Sequence, residues 1–271
     1  KTYDAKKKLN LKGKGTASFD VDGDLKQKIF YYKRLCKIKN KTSYLDDYYV
    51  AFGDSITFGV GDDFDGDGVG YPPILKDLLA NAEGVSHTVV NTGIGGEESI
   101  DGLARIQGLI DSYPQATHFL VLFGTNDSSG SMPVPSGVRF YGLDPDAFSY
   151  GELLEPGDSG YEGSFLDNMQ QIIDAILDDG KIPILAKVPI TLGPCSICTP
   201  FSNPEVASRN VLIRDYNTVI DALVAANAIG FNPPDFYNYF RTNHDQFSDN
   251  LHPDGMGYQS MAILWFNVLS P

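Results

Sequence analysis

Four short segments, far apart in the chain, carry residue types that together can attack a carbonyl and stabilise what the attack creates. They are Gly53-Asp54-Ser55-Ile56-Thr57, Asn91-Thr92-Gly93-Ile94-Gly95-Gly96, Gly124-Thr125-Asn126-Asp127 and Asp249-Asn250-Leu251-His252-Pro253. Ser55 offers a hydroxyl nucleophile, which is weak until a base removes its proton. His252 is the candidate base. Asp249, three residues earlier, can fold back onto the imidazole Nδ1–H and fix its tautomer. The oxyanion that would form needs donors about 2.7–3.1 Å away. The backbone N–H of Ser55, that of a glycine in the second segment and the side-chain amide of Asn126 are suitable. Gly93, Gly95 and Gly96 all qualify sterically, and residue physics does not choose among them.

Each segment also has a bland reading. Asp249 and His252 can cap a helix, and Asn126-Asp127 can end a strand. The chain has four histidines, His87, His118, His244 and His252. His87 and His118 open predicted strands, away from the edge where Ser55 falls, which gives them structural roles. His244 lacks an Asp three residues before it. His252 is left as the base.

The elements that must position these residues alternate. Tyr48–Phe52, His87–Asn91, Phe119–Phe123 and Ile182–Val188 are apolar runs of the kind that form buried parallel strands, and a short fifth strand is expected near Ile229–Phe231. Helical spacing marks Ile74–Leu79, Ile100–Ile110, residues 165–179, about Pro204–Ala228 and Gly255–Leu269. Such alternation predicts a parallel sheet with helices on both faces. Ligands of such sheets bind beyond the carboxyl ends of the strands. Ser55, Gly96 and Asn126 each follow a predicted strand, at that edge.

In these four segments the chain resembles the SGNH, or GDSL-type, hydrolases over roughly residues 48–271. The resemblance implies a three-layer α/β/α flavodoxin-like sandwich on a five-stranded parallel sheet. It implies Ser55 as nucleophile, Asp249 and His252 as its acid–base partners, and Ser55, Gly96 and Asn126 as the oxyanion hole. Gly96 is selected because the family's oxyanion glycine ends an Asn-x-x-x-x-Gly pattern. Ser-Ile-Thr stands where many members have Ser-Leu. The implied activity is carboxylic-ester hydrolysis through an acyl-enzyme on short-chain acyl esters, with no cofactor required. A carbohydrate O-acetylesterase is the alternative within the family. Outside the enzyme class stand a glycan-binding module on the same scaffold and a calcium-dependent structural module.

Charge divides the chain. Residues 1–47 hold 13 of the 21 Lys and Arg but 6 of the 35 Asp and Glu, so they carry +7 while residues 48–271 carry −21. This predicts a basic N-terminal appendage, residues 1–47, with a strand at Lys28–Tyr32, followed by a catalytic domain over 48–271. A body this acidic repels nucleic acid and anionic membranes. No apolar run is long enough to span a bilayer. The chain opens at Lys1 without a methionine, which reads as a processed product of a secreted or extracellular protein, and Cys195 and Cys198 then read as a local disulfide. Asp63, Asp65, Asp67 and Gly68 fit the start of a calcium loop, but Ile74 stands at the twelfth position, so a solvated acidic turn is the favoured reading. Asp20, Asp22 and Asp24 alternate similarly, with a misplaced glycine. Residues 128–163 form a long aromatic-rich loop, whose Phe140, Tyr141, Phe148, Tyr150 and Tyr161 are candidates to wall an acyl or sugar pocket.

Overall fold

The computed structural model describes residues 47–62, 69–129, 138–141, 149–153, 163–192 and 204–270. The chain divides after Leu45, and the unit Asp46–Pro271 holds all of these residues. The expected strand at Lys28–Tyr32, the Asp20–Asp24 turn, Cys36, the calcium candidates Asp63, Asp65 and Asp67, and the Cys195–Cys198 pair lie outside them.

Four parallel strands form the sheet: β1 (Tyr48–Gly53), β2 (Thr88–Asn91), β3 (His118–Leu122) and β6 (Ile182–Leu185), in the order β2-β1-β3-β6. The register pairs Val50 with Val90 on one side and with Phe119 on the other. The two inner strands are covered on both faces, and Val50, Ala51, Phe52, Phe119, Leu120 and Val121 are fully buried. That is why they read as unbroken apolar runs rather than alternating ones. Pro183 is tolerated in β6 because that strand pairs only with β3 among the described residues and sits at an edge.

Helices α2 (Tyr71–Glu83) and α7 (Gly255–Leu269) pack together, and so do α3 (Ser99–Ser112) and α4 (Phe165–Asp178), which in turn meets α5 (Pro204–Ala226). The connections β1–α2–β2 and β2–α3–β3 run in opposite directions along the sheet, which puts α2 and α3 on opposite faces. This is the expected three-layer sandwich. Trp265 of α7 anchors one face, with its ring 6.1 Å from Tyr71 and 5.9 Å from Phe236. Truncating a buried ring of this size costs about 3–5 kcal/mol.

The fifth strand is the departure. Ile229 does not pair with the sheet, because it closes α5. Ala228 takes a left-handed φ of 48°, Ile229 N donates to Val224 O at 3.0 Å, and Ala228 N to Ala225 O at 3.2 Å. Those two bonds are a Schellman cap. Beyond it, Pro233 and Pro234 offer no N–H for a ladder. Past the expected strand, Asp235 forms one isolated parallel bridge with Lys187, in which Lys187 N donates to Pro234 O at 3.0 Å. The fourth strand also stops early: Val188 exchanges both its backbone bonds with the side chain of Asn217 instead.

The loop expected over 128–163 contains an antiparallel pair, β4 (Val138–Tyr141) with β5 (Ser149–Leu153), and a bulge between Val138 and Phe140. Phe140, Tyr141 and Tyr150 fall on these strands, whereas Phe148 and Tyr161 lie outside the described residues. A short helix, α6 (Phe236–Thr242), was not expected. It is capped by Asp235, whose carboxylate accepts from Asn238 N at 2.9 Å.

Candidate active site

Ser55 opens a one-turn helix, α1 (Ser55–Phe58), directly after β1. The turn is set locally by Asp54, an N-cap whose Oδ1 accepts from Ile56 N at 2.9 Å. Gly53 is required here by space: a Cβ at that position would lie 2.4 Å from Leu122 O and from Thr57 Oγ1. The sharp turn leaves the Ser55 side chain at the carboxyl edge of the central strand, as the motif predicts.

His252 and Asp249 reach the same point from the loop before α7. The loop is latched by its own backbone: Ser248 N donates to His252 O at 2.9 Å, and Asp254 N to Gln246 O at 3.0 Å. Asp254 then caps α7 by accepting from Gly257 N. His252 Nε2 lies 3.0 Å from Ser55 Oγ, and His252 Nδ1 lies 2.7 Å from Asp249 Oδ2. An ionised carboxylate only accepts, so Nδ1 carries the hydrogen and Nε2 is the lone pair facing the hydroxyl. Asp249 Oδ1 accepts from Leu251 N at 2.6 Å and His252 N at 2.7 Å. Partial burial pushes the Asp249 carboxyl up. The bonds from the His252 ring, His252 N and Leu251 N outweigh it and hold the group below the usual carboxylate range.

The second segment forms a tight loop beyond β2. Gly93 N donates to Asn91 Oδ1 at 2.9 Å, Ile94 N to Gly53 O at 3.0 Å, and Glu97 N to Ile94 O at 3.5 Å. Gly96 occupies the third position of that last turn at φ 83°, where a side chain is disfavoured. Gly95 lies beside Ser55, since a Cβ there would stand 3.9 Å from Ser55 Cβ. Asn126 Nδ2 donates to Glu97 O at 2.8 Å, which orients its amide plane against this loop. Ser55, Gly96, Asn126, Asp249 and His252 thus all sit on the carboxyl side of the sheet.

Sequence reasoning missed the supports. Asp127 is fully buried and accepts from Ser99 N at 3.1 Å with both oxygens and from Ser99 Oγ at 2.5 Å, while Asn168 Nδ2 donates to Ser99 Oγ at 3.1 Å. This ties β3 to the start of α3 and to α4. Burial pushes the Asp127 carboxyl up to about 7, against the opposing bonds from Ser99. Burial likewise raises Asp54 to about 7, with Asp127 and Glu97 adding to the rise. Only the Asp-Ser-Asn types were visible beforehand. Their separations of 28 and 69 residues hid the contacts.

The other histidines stand elsewhere. His118 is buried against Tyr49, with ring centroids 4.9 Å apart, and burial lowers it to about 4. His87 is buried with Nε2 3.2 Å from Glu83 Oε2. His244 is exposed in the turn after α6. Among the described residues no group of three or more His, Cys, Asp or Glu is placed to hold a metal ion. No described helix is long and apolar enough to cross a membrane.

The described residues form a parallel α/β/α sandwich that groups Ser55, His252 and Asp249 at its carboxyl edge. Residues 51–260 match the GDSL-like Lipase/Acylhydrolase family. The chain belongs to that family and is a carboxylic ester hydrolase. Among solved structures it is similar to the lipase/acylhydrolase from Enterococcus faecalis, at 23% identity and TM-score 0.54, over 82% of this chain and 94% of that one. It is also similar to an acetyl xylan esterase from Geobacillus stearothermophilus (16%, TM-score 0.58, 83% and 94% covered). A psychrotrophic esterase from Pseudoalteromonas sp., in a structure inhibited by monoethylphosphonate, shares 15% identity at TM-score 0.54, with 83% and 97% covered. At these identities the likeness is one of fold. No curated protein matches the chain.

Proposed function

We propose that the protein hydrolyses short-chain acyl esters through a serine-bound acyl-enzyme. The observation that carries this reading is the unbroken chain Ser55 Oγ–His252 Nε2 at 3.0 Å and His252 Nδ1–Asp249 Oδ2 at 2.7 Å, at the mouth of a parallel sheet. Ser55 Oγ attacks the ester carbonyl as its proton passes to His252 Nε2. Asp249 stabilises the imidazolium and does not itself take the proton. The C–O bond to the alcohol breaks as His252 returns the proton to the leaving oxygen. Water then gives a proton to His252 and attacks the acyl-serine, which releases the acid and restores the hydroxyl. Ser55 N–H, Gly96 N–H and the Asn126 amide are assigned to the tetrahedral oxyanion. Gly93 is a poorer donor than Gly96, because its N–H is already taken by Asn91.

A sugar O-acetyl ester is the second reading. Two of the proteins with similar structures are acetyl xylan esterases, and a serine-to-alanine variant of the Geobacillus enzyme is a catalytic mutant. The acidic body suits a neutral ester better than nucleic acid or an anionic membrane, and we infer an exported protein that needs no cofactor. The test is a panel of nitrophenyl esters of increasing acyl length together with acetylated xylo-oligosaccharides, run on wild type and Ser55→Ala. Short-chain turnover that vanishes in the variant supports the proposal. Turnover of acetylated sugar alone selects the second reading. Sugar binding with no hydrolysis of any ester returns the protein to a binding role.

A further inference from the structure

The three groups assigned to the oxyanion come from three different strand ends, and one half-buried ion pair touches the backbone that sets each of them. Arg105, on the second turn of α3, reaches back over the sheet edge. Its Nη2 donates to Gly53 O at 3.1 Å, two residues before Ser55. Its Nε and Nη2 meet Glu97 Oε2 at 2.7 and 2.6 Å, and Glu97 directly follows Gly96. The guanidinium carbon stands 4.6 Å from the Phe52 ring centroid. Glu97 closes the circuit through its carbonyl, which accepts from the Asn126 amide. The carbonyl of Gly53 is shared with Ile94 N, so the turn holding Gly95 and Gly96 is fixed to the same peptide.

We infer that Arg105, with Glu97, is a positioning residue that sets the spacing of Ser55 N–H, Gly96 N–H and the Asn126 amide. The inference rests on the esterase reading above. Two features separate this pair from an ordinary surface bridge. The side chains are 19% and 13% exposed, so their attraction is weakly screened and neither charge is well solvated without the other. The contacts also use the fork of a guanidinium: three separate contacts, to an ion, a carbonyl and a ring face, come from one rigid plane. A lysine supplies a single point charge and cannot reproduce them. Donors that must lie within a few tenths of an ångström of a developing charge are sensitive to small displacements, and misplacement from outside the reacting groups can cost about 10²-fold in rate.

The test compares Arg105→Gln, Arg105→Lys and Glu97→Gln with wild type on nitrophenyl acetate, below the melting transition of each variant. The expected result for Arg105→Gln is a fall in kcat of about 10-fold to 10²-fold with KM within about twofold. Arg105→Lys should recover little of it. In an Asn126→Ala background the same Arg105 change should cost less than it does in wild type, because part of its effect runs through that amide. A variant with lowered melting temperature but unchanged kcat, or effects that multiply independently of Asn126, overturns the assignment. A second readout does not depend on turnover: the NMR resonances of the Gly96 amide and the Asn126 side-chain amide should move in Arg105→Gln, and unmoved resonances overturn the assignment as well. Wild type that turns over no ester overturns the esterase reading, while the resonances still decide whether the pair sets the donors.

Discussion

Asp249 and His252 are three residues apart, joined by one side-chain bond and two bonds from adjacent backbone N–H groups, with the Asp249 side chain 52% exposed. The other wall, behind Asn126, joins Ser99, Asp127 and Asn168 across three elements, with all three side chains buried. The first arrangement is made by short-range chemistry and works in contact with water. The second exists only once β3, α3 and α4 have packed. Exposure therefore marks the part whose contribution is mostly to the reaction, since screened pairs add little to stability. Burial marks the part that also carries folding energy, since an unpaired polar group there is costly.

The largest effect should come from the groups proposed to react. Ser55→Ala and His252→Ala should each reduce kcat by about 10⁴-fold or more, and the double variant should be no worse than either single one. Steady-state kinetics of the three variants check this; costs that multiply would show that the two residues do not act as one unit.

The next contrast sets one wall against the other. Asn126→Ala should lower kcat by about 10²- to 10³-fold, the usual cost of an oxyanion donor. Asp249→Asn should cost less, about 10²-fold or below, because that carboxylate is itself half exposed and its bond to the imidazole is screened by solvent. The depressed value of Asp249 keeps it ionised until the pH has fallen through the ordinary carboxylate range, so its bond to the His252 ring should survive moderate acid. A pH–rate profile of wild type and Asp249→Asn measures both; a larger loss in Asp249→Asn than in Asn126→Ala would reverse the ranking of the walls.

The smallest effect concerns stability alone. Asp54 and Asp127 are raised to about 7 by burial, so the folded state holds them protonated more readily than the unfolded chain does. Their contribution is full below the unfolded carboxylate value and is lost as pH rises through about 7. The melting temperature of wild type should therefore fall between about pH 5 and about pH 8. Asp54→Asn, which cannot ionise, should flatten part of that fall, by about 2–4 °C at the alkaline end. Parallel melting curves for the two proteins would remove Asp54 from the account.

Legibility followed the same division. The helix Gly255–Leu269 and the strand beginning at Tyr48 were readable because periodicity and caps are properties of neighbouring residues. The fifth strand failed at Ile229, where the competing local structure was a helix cap on a non-glycine residue, a rare use of left-handed backbone. The sequence did not single out Arg105. Nothing in its surroundings along the chain points to Gly53, 52 residues away.

The sequence by itself determined the candidate residue types, their order and their strand-end settings, because a strand-to-helix turn and an Asp-x-x-His loop are built from bonds spanning two or three residues. The tertiary structure decided how those groups are held to each other. It brought Ser55 to within 3.0 Å of a histidine 197 residues away, it buried Asp127, and it drew the Arg105–Glu97 pair largely out of water. Contacts of that kind depend on desolvation by distant elements, and desolvation leaves no pattern in a linear chain.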